Sequence, residues 1–131
     1  MKEHLQEAID MYTTIEGEEI NEVVTSPARP RLRDVNENCP KLVEEKREGF
    51  HSIVQKLLWV MKRARPDLET AIGFLCTRVD KSDTDDWRKL RRVIAFIKCT
   101  LDDCRIIGAT DLTKISTWID AAYTVNPDMK S

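Results

Sequence analysis

Apolar positions recur at helical spacing along much of this 131-residue chain. Leu5, Ala8, Ile9, Tyr12 and Ile15 predict a short amphipathic helix over residues 2–13, and Gly17 ends that pattern. The clearest stripe is Phe50, Ile53, Val54, Leu57, Leu58 and Met61, which lines one face of a helix over residues 42–63. Pro66 stops this helix and suits the first turn of the next, whose buried side takes Leu68, Ala71, Ile72, Leu75, Cys76 and Val79. A third helix follows. Ser82, Asp83 and Thr84 are each suited to cap it, Asp85 and Asp86 complement its dipole, and Trp87, Leu90, Ile94, Ile97 and Leu101 form its apolar face. Between residues 16 and 40, Pro27, Pro30 and Pro40 with few apolar positions predict an extended connector, with one short strand over residues 20–24. From Arg105 the pattern changes: residues 106–107 and 118–125 favour strands on either side of a polar loop over residues 109–113. The class expected is α+β: mainly helical, with a three-helix core, a short N-terminal helix and a C-terminal β-hairpin or strand pair.

Composition narrows this picture. An apolar fraction of 41% and a charged fraction of 34% suit a soluble, partly helical protein. The N-terminus lacks the apolar segment of a signal peptide, and no apolar run approaches a bilayer span, so no membrane partner is expected. Cys39, Cys76, Cys99 and Cys104 show no CxxC spacing and no nearby histidine, which argues against zinc and for reduced thiols in an intracellular protein, cytoplasmic or nuclear. Cys76 and Cys99 are expected to pack as small hydrophobes. The net charge of −2 conceals an asymmetry. Residues 1–48 carry seven Lys/Arg against twelve Asp/Glu, a balance of −5, while residues 49–101 carry eleven against six, a balance of +5.

That basic middle directs attention to polyanions. Lys62, Arg63 and Arg65 cluster at a helix end, and Arg88, Lys89, Arg91, Arg92 and Lys98 crowd the third helix. Arg88, Arg91, Arg92 and Lys98 fall off its apolar face, where they are expected to meet nucleic-acid phosphates or simply to form a solvated charged face. Asp85-Asp86 and Asp102-Asp103 lack the strand that a polymerase aspartate pair requires, and His4 and His51 are isolated. No Gly-rich phosphate loop, nucleophile elbow or H-E-x-x-H helix is present in the sequence. Trp87 and Trp118 are expected in the core rather than as stacking platforms.

Four blocks of sequence resemble the copia-type retrotransposon polyproteins: FHSIVQKLL at residues 50–58, KRARPDLETA at 62–71, DDWRKLRRVI at 85–94 and WIDAAYTVNPDMKS at 118–131. The chain departs from the family pattern at Thr117, Ala122 and Asn126. The resemblance implies that residues 1–48 close a reverse transcriptase palm and form a connector, that 49–104 form a helical thumb or connection region, and that 105–131 open a truncated ribonuclease H domain. It further implies that Asp120 is the first ribonuclease H carboxylate, a catalytic and metal-binding residue for Mg²⁺ in the intact enzyme. The remaining carboxylates would lie beyond Ser131, so the fragment is expected to be inactive alone and to hold no ion firmly. Its implied partners are an RNA·DNA hybrid, touched by Lys62, Arg63, Arg65, Arg88, Arg91, Arg92 and Lys98, and the missing polyprotein segments. The alternative reading is a non-enzymatic helical protein-binding module or an inert domesticated remnant.

Overall fold

Phe50, Ile53, Val54, Leu57, Val60 and Met61 recur every three to four residues and are buried along one side of a 20-residue helix. In the computed structural model, which describes residues 2–28, 30–35, 37–102, 113–115, 117 and 119, this helix is the centre of the fold. The described helices are α1 (Lys2–Glu16), α2 (Glu44–Arg63), α3 (Glu69–Cys76) and α4 (Thr84–Cys99), with a 3-10 turn at Pro66–Leu68 leading into α3. α1 packs against α2 and α4, and α3 fills the angle between α2 and α4.

Each end has a local cause. Gly17 adopts φ +79°, a left-handed conformation that favours glycine, and its N–H donates to the Thr13 carbonyl, closing α1. Pro66 opens the 3-10 turn after Arg65. Asp83 is the cap chosen from the three expected for α4: its carboxylate accepts the Asp86 N–H, and Asp86 accepts the Asp83 N–H in return.

The expected three-helix core is corrected to one in which α1 is a full member, since Leu5, Ala8, Ile9 and Tyr12 are all buried. Tyr12 stacks on Trp87 of α4 with ring centroids 4.6 Å apart, and burial raises its phenol well above the ordinary tyrosine range. Gly49 faces the tip of the Ile15 side chain of α1, which occupies the space a Cβ would take.

The α+β expectation is also overturned: no strand occurs among the described residues. The strand expected over residues 20–24 is an extended tether. Ile20 is buried, Val23 is 86% exposed, and the Ile20 carbonyl accepts from the Lys98 ammonium rather than from a neighbouring strand. An isolated antiparallel bridge joins Lys41 to Asp83. The C-terminal strand pair expected over residues 106–125 lies almost wholly outside the described residues.

Leu57 is fully enclosed, so Leu57→Ala will lower the unfolding free energy by about 2–5 kcal/mol. Val23→Ala will change it by no more than about 0.5 kcal/mol. Urea unfolding followed by far-UV circular dichroism measures both.

Candidate functional site

Phosphates or a solvated charged face are the expectations for the cations of α4, yet most of them reach back onto the chain's own connector. The connector passes along α4 from its C-terminal to its N-terminal end. Lys98 Nζ pairs with Glu19 at 3.2 Å and donates to the Ile20 carbonyl at 2.7 Å. The Cys99 thiol lies 3.7 Å from the Glu22 carbonyl. Arg91 Nε donates to the Glu22 carboxylate at 2.8 Å, and its Nη1 lies 3.8 Å from Glu16. Arg92 Nε donates to the Ser26 carbonyl at 3.2 Å, and Lys89 Nζ donates to the Asp34 carbonyl at 2.7 Å. Thr84 N–H then donates to the Pro40 carbonyl. Lys89, one of the cations that crowd this helix, is fully buried: its ammonium pairs with Asp85 at 3.2 Å and sits 4.8 Å from the centre of the Phe74 ring.

The second basic cluster divides. Arg65 is 3% exposed and forks onto Asp67, with Nε and Nη2 donating at 3.0 and 2.9 Å. Its remaining donors meet the Thr100 carbonyl and hydroxyl, tying the end of α2 to the end of α4. Arg65 is therefore a strut between the two helix ends. The Arg65 guanidinium holds the Asp67 carboxyl below the usual carboxylate range. Lys62, Arg63 and Arg88 are exposed, and the Arg63 guanidinium lies 4.2 Å above the Trp59 ring. The structure does not bring the seven basic residues into one ligand-facing surface.

Between α3 and α4, Arg78, Ser82, Asp83 and Asp86 are all buried. Arg78 Nε donates to Asp86 at 3.0 Å, its Nη2 lies 3.5 Å from Asp83, and Nη2 also donates to the Lys81 carbonyl. Burial pushes the Asp86 carboxyl up, a tendency that Arg78 opposes. Asp85 and Asp86 thus serve the start of a helix, and no group of three His, Cys, Asp or Glu side chains suited to a metal occurs among the described residues. Asp120, the expected Mg²⁺ ligand, and Trp118 lie outside them. Trp87 is buried, with its Nε1 donating to Glu16 at 2.5 Å. Cys76 packs at the core's edge, where burial raises its thiol pKa, whereas Cys99 is exposed and not in the core as expected. The apolar side of α4 runs through Leu90, Val93, Ile94 and Ile97, and Cys99 falls on the opposite side.

The surface that sequence reasoning missed is the outer seam of α1 and α2. The two helices run antiparallel, so His4 meets Trp59, Glu7 meets Lys56 and Ile15 meets Gly49. Between these crossings lies an open groove of about 480 Å³ lined by Glu7, Asp10, Met11, Thr14, Ile15 and Lys56. Trp59, 40% exposed, stands at one end with the His4 ring edge-on at 4.8 Å. The available signal was the widening of the α1 stripe at Met11 and Ile15, opposite a glycine on α2.

No family model matches the chain, and no solved structure matches it. A retrovirus-related Pol polyprotein from transposon TNT 1-94 of Nicotiana tabacum is 26% identical over 92 residues, 67% of this chain. The chain spans only 7% of that relative's length. This likeness supports a general, nucleic-acid-associated origin and no specific contact with an RNA·DNA hybrid. The fuller expectation, a reverse transcriptase running into ribonuclease H, is corrected. The described residues are helical and without strands, they hold no carboxylate cluster, and the similarity is partial.

Asp67→Asn will leave the buried Arg65 guanidinium facing a neutral amide and reduce stability by about 1–3 kcal/mol at neutral pH. The folded pKa of Asp67 is depressed, so its contribution is present above the unfolded value of about 4 and is lost as pH falls through the folded one. The difference between parent and variant in thermal unfolding will therefore shrink on acidification.

Proposed function

We propose that this chain is a non-enzymatic helical module that docks a basic amphipathic helix of a partner protein along the outer α1/α2 seam. The observation that carries this reading is the open groove beside Met11 and Ile15, with the 40% exposed Trp59 standing one turn beyond the Glu7–Lys56 pair that closes one end of it. Helix-in-groove recognition needs an apolar channel about as long as two or three helical turns. The lining of the groove on α1 runs from Glu7 to Ile15, eight residue steps or about 12 Å of helix. An exposed tryptophan at the end of such a channel has the chemistry of an interface anchor.

Charge selects the partner. Glu3, Glu7 and Asp10 are exposed on the outer side of α1, and Lys56 of the facing helix is already paired with Glu7. The rim is thus acidic on balance, complementary to lysines flanking an apolar stripe. An intracellular setting, cytoplasmic or nuclear, accompanies this proposal, in which Cys39, Cys76 and Cys99 remain free thiols.

The test is fluorescence anisotropy with a labelled helical peptide of leucines and lysines in amphipathic order. Saturable binding is expected, weakened about tenfold or more by Trp59→Ala and further by Asp10→Lys. Binding unaffected by both substitutions would remove the seam as the site. Preference for a labelled RNA·DNA hybrid over the peptide would overturn the protein-binding reading.

A further inference from the structure

We infer that residues 18–28 are a displaceable strap, a built-in acidic pseudo-ligand covering a face of α4 that also accepts an extended acidic segment of a partner protein. The strap stands apart from the helical core in how it is held. Ile20 is its buried apolar anchor, Val24 and Ala28 are half-buried, and Val23 faces solvent. Its other attachments are the long cationic side chains of Arg91, Arg92 and Lys98 and the thiol of Cys99, which meets the Glu22 carbonyl. A segment with little apolar burial and partly exposed ionic ties opens at lower free energy than the packed helices that carry it.

The match between strap and helix is one of register. Arg91 and Lys98 are seven residues apart, about 10.5 Å along a helix axis. Glu22 and Glu19, their respective partners, are three residues apart, about 10 Å in an extended chain. Arg92 and Lys98 also donate to main-chain carbonyls, those of Ser26 and Ile20. Carboxylates at that spacing together with peptide carbonyls are features of an extended acidic polypeptide. The occupant seen on this face is itself a polypeptide with two carboxylates at that spacing, which favours an acidic protein segment over a nucleic acid. The α4 face is separate from the α1/α2 seam, so this inference stands whether or not the seam binds a helix.

Two measurements on the full chain test it. In hydrogen–deuterium exchange, raising sodium chloride from about 0.05 to about 0.5 M will speed the amides of residues 18–28 severalfold and leave those of α2 and α4 unchanged. Strap and helices exchanging together at both salt concentrations would overturn the inference. Secondly, a labelled peptide copying residues 17–28 will bind the Glu19→Gln/Glu22→Gln chain more tightly than the unaltered one. Adding Arg91→Gln and Lys98→Gln will abolish that binding. Equal binding by all three chains, or preference of the Gln variant for labelled oligothymidylate, would contradict it. If the substituted chains lose their helical circular dichroism, the salt comparison on the unaltered chain decides alone.

Discussion

A buried ionic corner sets the positions of the other parts of this fold. Arg78, Asp83 and Asp86 meet where α3 gives way to α4, with every carboxylate and guanidinium group removed from water. Three isolated buried charges would be prohibitive. Here the reciprocal Asp83/Asp86 cap and the Arg78 fork satisfy one another while fixing the first turn of α4. The same corner holds the end of the connector, because Leu42 N–H donates to the Ser82 carbonyl and Thr84 N–H to that of Pro40. α2 and α4 therefore start from one clamp, and α3 closes the angle between them.

From that clamp α4 presents two different sides. Leu90, Val93, Ile94 and Ile97 go into the core with Tyr12, Leu57 and Ile72. On the other side Lys89, Arg91, Arg92 and Lys98 extend their stems over apolar surface and place their charges on the connector. The acidic first third and the basic middle of the chain, which balance at −5 and +5, thus face each other within one molecule. Arg65, Lys89, Arg91, Arg92 and Lys98 are engaged within the fold while Lys62, Arg63 and Arg88 stay exposed, and the acidic, partly apolar surface left on α1 shifts the functional reading to protein recognition.

The helices were readable because apolar spacing reports burial directly. Residues 42–63 differ from the observed α2 by two residues, α4 starts at one of the three caps expected for it, and Pro66 and Gly17 act where their backbone preferences require. The connector was misread because Ile20, Val23 and Val24 have strand-like composition, while what decides a strand is a partner for its N–H and C=O groups. The surroundings of the cations were not legible for a related reason. Helical position says that Arg91 or Lys98 leaves the apolar face, but only the path of residues 17–40 says what it then meets. Arg65 and Lys89 make the point most sharply, since nothing in their local sequence signals burial. The resemblance to retroelement polyproteins corresponds to a partial likeness of 26% over 92 residues, and the fold of the described residues did not carry the expected chemistry across.

Stability of an Arg78→Met chain as a function of pH tests the role of the corner most directly. Removing the guanidinium leaves Asp83 and Asp86 buried without a counter-ion, and the loss expected near neutral pH is about 3–5 kcal/mol. Asp86, whose pKa burial already raises, will rise further without Arg78. A folded pKa above the unfolded one favours the native state at low pH and withdraws that favour as pH rises through it. Urea unfolding of parent and variant between about pH 4.5 and pH 8 will therefore show a gap that narrows towards acid. A loss under about 1 kcal/mol, or one constant across that range, would show that the corner is not the constraint on which the fold depends.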